Sequence, residues 1–221
     1  MKRIRHSGQS GGFSLVEAIV VAGTLVVLIA VLLPALAASK KKLSRIGCTN
    51  NLKQVGLAFR LWSGDNGDKY PMQVSVTNGG TMEFVGSGVV AAHFQVMSNE
   101  LSTPEILFCR EDKRRTPASS FTTNLSNSNL SYFVGVDATE EKPQMFLSGD
   151  AYLAVGGKPS KPGLLSLWTN SPVTWAKPLR ANHGEGGNIV LADGSVYQGG
   201  NARLRELLND SGMATNRLAM P

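Results

Sequence analysis

The chain opens polar and basic, turns apolar from Ala18 to Ala38 with Thr24 as the one interruption, and from Ser39 onward mixes apolar and polar residues at helical spacing. At about 1.5 Å per residue the apolar run covers roughly 30 Å as a helix, the thickness of a bilayer's hydrocarbon core. One carboxylate, Glu17, stands just ahead of it. An acid at the head of a membrane helix is costly and marks a functional candidate. Past the run, Cys48, Leu52, Val55, Phe59 and Trp62 step by four, three, four and three residues, which places them on one helical face. Leu43, Ile46, Leu57 and Leu61 fall on nearly the opposite face. Two stripes imply either a helix sandwiched inside its own domain or a second surface covered by something else. Gly47 and Gly56 lower helix propensity by up to about 1 kcal/mol each, so local softness is expected there. The turn formers Gly64-Asp65-Asn66-Gly67-Asp68 predict the end of the helix.

Weaker patterning follows. Residues 73–88 read as a glycine-rich loop with at most one short strand, and 89–101 as one short amphipathic helix closed by Ser102-Thr103-Pro104. Ile106-Leu107-Phe108-Cys109 reads as a buried strand, and the charged then polar residues 110–131 as an exposed loop. Residues 132–136, 145–148 and 164–168 are short β-prone runs. Asn188 to Tyr197 reads as a hairpin in which Asp193-Gly194 makes a type I′ turn. Residues 201–209 predict a short helix stopped by Gly212, and a loose tail is expected beyond it. The fold class is therefore α+β: one long N-terminal helix packed on a mostly antiparallel sheet. Its segments are 1–12, a basic leader; 13–38, the membrane half of the helix; 39–64, the amphipathic half; 65–212, a globular head; and 213–221, the tail.

Composition changes this picture little. The 221 residues hold a membrane helix and one globular domain. The net charge of +6 includes Lys2, Arg3 and Arg5 of the leader, and losing them leaves +3 with no clear basic stripe, so nucleic acid is not an expected partner. Lys40-Lys41-Lys42 and Arg45 suit lipid head groups beyond the membrane run. The two cysteines, Cys48 and Cys109, allow one bridge in an oxidising compartment or two buried thiols. Asn124 and Asn129 begin N-x-Ser patterns of the kind chance supplies often.

Candidate chemistry is sparse. The acidic turn at 65–68 lacks the spacing of a calcium loop, and His93 has no partner at i+3 or i+4, so neither calls for a metal. His183, Glu185 and Asp193 could in principle serve acid–base work, but the turn accounts for Asp193 and no nucleophile motif accompanies them. No enzyme activity and no cofactor are expected.

The stretch Gly12-Phe13-Ser14-Leu15-Val16-Glu17 can be read as the approach to a secretory signal cut after Ala35-Leu36-Ala37, or as part of a plain anchor. It also resembles the recognition site of type IV prepilins and type II secretion pseudopilins. That family has a glycine before the cut, a phenylalanine after it, and a glutamate fifth in the mature chain. Pro34 falls where such helices commonly carry a proline, and DNGDKYP is similar to the exit of the helix in major pseudopilins. His183, separated by nine residues from Asp193-Gly194, with CTNNLKQVGLAF and NELSTPEILFC, resembles the H-x9-DG prepilin-type group found in planctomycetes and verrucomicrobia. Arg110 departs from it where many members have proline. The resemblance implies a pilin-like fold, cleavage by prepilin peptidase between Gly12 and Phe13, N-methylation of Phe13, and an assembly role for Glu17. It implies as partners other pilin or pseudopilin subunits, an inner-membrane assembly platform and membrane lipid. The expected location is the inner membrane in a single pass, with a periplasmic head, and then a filament. A type IV pilus subunit and a surface-anchored binding module that uses the leader only for export are the alternatives.

Overall fold

The structure, a computed structural model, describes residues 14–176 and 186–221, and of residues 35 and 37–44 the backbone alone. The chain divides into two units, Met1–Leu43 and Ser44–Pro221. Helix α1, Leu15–Asp65, runs through both and carries Pro34 within it. Proline at an interior position removes one backbone donor and crowds the preceding turn, a cost of about 3 kcal/mol.

In the first unit, Leu15–Pro34 is long and apolar enough to cross a membrane, and none of it is buried. In the second unit α1 turns amphipathic. Cys48, Leu52, Val55, Ala58, Phe59 and Trp62 are buried, whereas Ile46, Leu57 and Leu61 are 48%, 56% and 52% exposed. The helix is thus packed on one side only, and the sandwiched reading of the second stripe fails. It ends where the turn formers predicted. Ser63 C=O accepts from the N–H groups of Asn66 and Asp68, and Gly67 and Asp68 take positive φ.

The 73–88 segment contains no strand. Three single 3-10 turns, Pro71–Gln73, Val76–Asn78 and Met82–Phe84, fold it into a compact patch closed by Thr81 N–H to Pro71 C=O and Met82 N–H to Val74 C=O. The single helix expected over 89–101 is two, α2 (Val90–Gln95) and α3 (Ser98–Leu101). The expected strand at 106–109 is instead a 3-10 turn, Pro104–Leu107, because Thr103 caps it by accepting from Glu105 N–H and proline stands at its first position.

Among the described residues nine strands make two antiparallel sheets: β1 Tyr132–Gly135, β2 Phe146–Asp150, β3 Leu153–Val155, β4 Lys158–Pro159, β5 Gly163–Trp168, β6 Val173–Trp175, β7 Gly186–Leu191, β8 Val196–Gly200 and β9 Thr215–Met220, with α4 (Asn201–Asp210) before the last. The larger sheet has the order β5-β9-β1-β2-β7-β8 and the smaller β4-β3-β6. The loose tail expected after Gly212 is therefore an interior strand. β9 pairs all along β5, from Gly163↔Met220 to Trp168↔Thr215, and also with β1.

Side-chain alternation sends the large sheet's residues to two cores. One face, with Tyr132, Val134, Leu147, Val190 and Ala219, packs under α1 and α2. The other, with Phe133, Phe146, Ile189, Leu191 and Leu218, packs on α4 and the smaller sheet.

The hairpin of β7 and β8 forms as predicted, but its turn is not type I′. Leu191 N–H donates to Ser195 C=O and Gly194 N–H to Leu191 C=O, which makes a three-residue loop. Only Gly194 then needs positive φ, at 83°, and Asp193 keeps an ordinary backbone. The Asp193 carboxylate instead accepts from Ser195 N–H at 2.8 Å and Ser195 Oγ at 2.5 Å.

Candidate functional site

At the start of α1 the Glu17 carboxylate turns back on its own chain. Its Oε2 accepts from Ser14 N–H at 2.9 Å. This is the carboxylate half of a capping box, which satisfies a helix-terminal donor and places negative charge at the positive end of the helix dipole. Ser14-Leu15-Val16-Glu17, a Ser-x-x-Glu run ahead of an apolar helix, is the sequence signal for it. Around and beyond Glu17 the side chains of Leu15, Val16, Ile19 and Val20 are 58–75% exposed. Gly12 and Phe13, the residues of the expected cut, lie outside the described residues.

In the head, Cys48 of α1 and Cys109 are joined in a disulfide with Cα atoms 5.6 Å apart. The link closes a 61-residue separation and fixes α1 to the segment after the 3-10 turn. Polar groups reinforce it on both sides. Asn51 Nδ2 donates to Phe108 C=O at 3.2 Å, and Cys109 N–H donates to Ser131 Oγ at 3.0 Å. Ser131 Oγ in turn donates to Asp112, which also accepts from the Tyr152 hydroxyl and faces Arg115 Nε at 3.5 Å. Asp112 is 1% exposed, so the segment 110–131, expected as an exposed loop, contains a buried acid.

A second buried acid, Asp150, accepts from Asn188 N–H at 2.7 Å and Asn188 Nδ2 at 3.0 Å. Burial pushes its carboxyl up to about 7. Thr49 of α1 donates to Asn188 Oδ1, so this acid too is linked back to the helix. Tyr70 reaches across from the end of α1 to donate to Ala192 C=O at 2.6 Å, and burial holds its phenol well above the ordinary range. Arg60 Nη1 donates to Asp193 C=O at 3.0 Å. Together these bonds hold the Asp193-Gly194 loop against α1.

His93 is fully buried with Nδ1 2.7 Å from Thr81 Oγ1, and burial pushes its ring down to about 4. It is a packed core residue. His183 and Glu185 lie outside the described residues. Among the described residues no group of three His, Cys, Asp or Glu side chains is placed to hold a metal ion. No protein-family model, curated protein or solved structure matches this chain.

Proposed function

We propose that this chain is a structural subunit of a pilus-like filament, a pseudopilin of the type II secretion kind, made in the inner membrane with its head in the periplasm. The observation that carries the reading is an α+β protein whose N-terminal helix leaves Leu15–Pro34 wholly exposed with one acid, Glu17, at its head. Such a surface needs lipid around it first. Neighbouring copies of the same helix can then replace the lipid, because both present the same apolar side chains. Prepilin peptidase, by the resemblance of residues 12–17, frees and methylates the amine of Phe13.

Glu17 has two carboxylate oxygens and one local donor, Ser14 N–H. Its remaining acceptor capacity suits the Phe13 ammonium of an adjacent subunit. In an apolar surrounding that pair is much stronger than in water, though desolvation offsets part of the gain, so its main effect is to set register between helices. Mass spectrometry of the N-terminus in the membrane fraction tests the reading. An N-methylated chain beginning at Phe13 is expected, and one beginning at Ala38 removes the filament role.

A further inference from the structure

The larger sheet ends on β5, whose one neighbour in it is β9. The direction of the main-chain groups along β5 follows from Arg217 of β9. Arg217 N–H donates to the Asp137 carboxylate and its C=O accepts from Val136 N–H, so both point away from β5. Ser166 stands opposite Arg217. Because these groups alternate along a strand, Leu165 and Leu167 bond β9, and Leu164, Ser166 and Trp168 aim at the open edge.

That edge is bounded on both sides. Trp168 is closed off: its N–H donates to Ser171 Oγ at 2.9 Å and its C=O accepts from Ser171 N–H at 2.9 Å. Pro162, at the other limit, has no N–H to offer. Between them, the N–H and C=O groups of Leu164 and Ser166 have no partner among the described residues. Gly88 approaches the strand at its first residue, Gly163, and leaves Leu164 39% and Trp168 57% exposed. From Gly163 to Ser171 there is no charged side chain, so the edge lacks the lysines that commonly guard such strands. The opposite edge, β8, is guarded: Gly199 C=O accepts from Trp175 Nε1 at 2.9 Å, and Arg203 lies over Tyr197.

We propose that β5 pairs antiparallel with β5 of a second copy, about a two-fold axis at Leu165. The occupant follows from the bounds of the edge. In this register Leu164 stands opposite Ser166 of the other copy, and each open N–H meets an open C=O. The next pair outward sets Pro162, with no donor, opposite Trp168, whose groups are already bonded, so the ladder stops where the free groups stop. Side chains agree with this. Leu165 meets Leu165 on one face, Leu164 reaches Trp168 diagonally on the other, and Lys161 falls opposite Thr169 with no like charges facing. A strand that supplies its own complement suits the isologous contact of a symmetric dimer. So short an edge buries less than the roughly 1,200 Å² of a standard interface and holds weakly in dilute solution. The pairing rests on the membrane anchoring proposed above for its effective concentration, and on the head alone for its geometry.

Disulfide trapping tests the register. Among the described residues no free cysteine competes. Membranes of cells producing full-length Leu165→Cys are mildly oxidised, and the products are separated without reductant and identified by mass spectrometry. A homodimer linked through position 165 is expected. Trp168→Cys should cross-link to itself at least about tenfold more slowly, since the two copies of that position lie about 20 Å apart in this register. A mixture of Leu164→Cys and Ser166→Cys chains, both altered on the outward face, should give the mixed dimer. Ser166→Pro, which removes an outward N–H from an edge strand, should abolish the Leu165→Cys product with little change in thermal unfolding. Equal rates at positions 165 and 168, no homodimer, or adducts of Leu165→Cys with a different protein in its place would overturn the pairing. An N-methylated Phe13 found together with any of these results would leave the filament reading standing without it.

Discussion

A β-carbon built on Gly56 of α1 would stand 2.7 Å from Val190 Cγ2 in β7, and 3.5 Å from Gly194 Cα in the hairpin loop. The helix and the hairpin approach so closely that this position has no room for a side chain. Gly47, nine residues earlier on the same helix, meets nothing within 4 Å. The softness expected at both glycines is thus a packing requirement at one of them. Gly56→Ala should destabilise the head by about 1–3 kcal/mol through overpacking, in spite of the better helix former. Gly47→Ala should instead stabilise it, by up to about 1 kcal/mol. Thermal unfolding followed by circular dichroism distinguishes them, and shifts of the same sign would contradict the close approach.

The Cys48–Cys109 link should contribute roughly 4 kcal/mol to the head by restricting the unfolded chain across its 61-residue separation. Urea unfolding with and without reductant measures this. Peptide mapping without reductant of protein isolated from cells should recover the linked pair, and two freely alkylated thiols would show that the bridge does not form in the cell.

Two buried groups impose opposite pH dependences. Asp150 has a folded value of about 7 against an ordinary 3.8. Between about pH 4 and 7 the folded protein holds a proton the unfolded chain has lost, so stability falls as pH rises, by up to about 1.4 kcal/mol per unit. His93 has a folded value of about 4 against 6.5. Between those values the unfolded chain holds the extra proton, and stability falls as pH drops. The contributions oppose each other from about pH 4 to 6.5. Asp150→Asn should leave a stability that rises with pH in this window, and His93→Gln one that falls. Urea midpoints across the window test the signs, and parallel curves for both variants would refute the assignment.

At the helix head, Glu17→Gln separates two roles. The amide keeps an oxygen for Ser14 N–H and loses the charge. If Glu17 sets register through a neighbour's amine, both Glu17→Ala and Glu17→Gln should abolish incorporation into filaments made by the native machinery. Cleavage at Phe13 and head stability should be unchanged in both. Membrane insertion should be at least as efficient, since a charged side chain in a membrane helix is costly to insert. Wild-type incorporation of the Gln variant, measured by co-purification with sheared filaments, would reduce Glu17 to a helix cap.

The long helix was legible because both of its signals are local. The apolar run is continuous and the Cys48-to-Trp62 stripe periodic, and the stripe is buried at every position. Strands 1, 2, 5 and 7 were legible for similar reasons. β9 was not. Its residues Thr215-Asn216-Arg217-Leu218-Ala219-Met220 alternate weakly, and its partners β5 and β1 lie far off in sequence. The 3-10 turn at Pro104–Leu107 was misread although Thr103-Pro104 is a helix-start signal, because the apolar run after it looked extended. Asp112 and Asp150 were invisible as buried acids. Burial of a carboxylate depends on partners such as Tyr152, Ser131 and Asn188, which only the fold assembles.

The position of β9 also sets an order of events. β5 and β1 are synthesised well before Thr215, yet both depend on the strand that begins there. Until it arrives, each has a row of unsatisfied backbone groups where β9 will lie. A head emerging on the far side of a membrane would therefore spend the delay with an open slot in its main sheet, able to accept a strand from another chain. Closing the slot is a late, long-range step of the kind that makes folding slow. If the head is delivered across a membrane as the proposed function has it, the crowding of nascent heads becomes a hazard whose duration is set by how quickly the residues from 169 to 220 arrive.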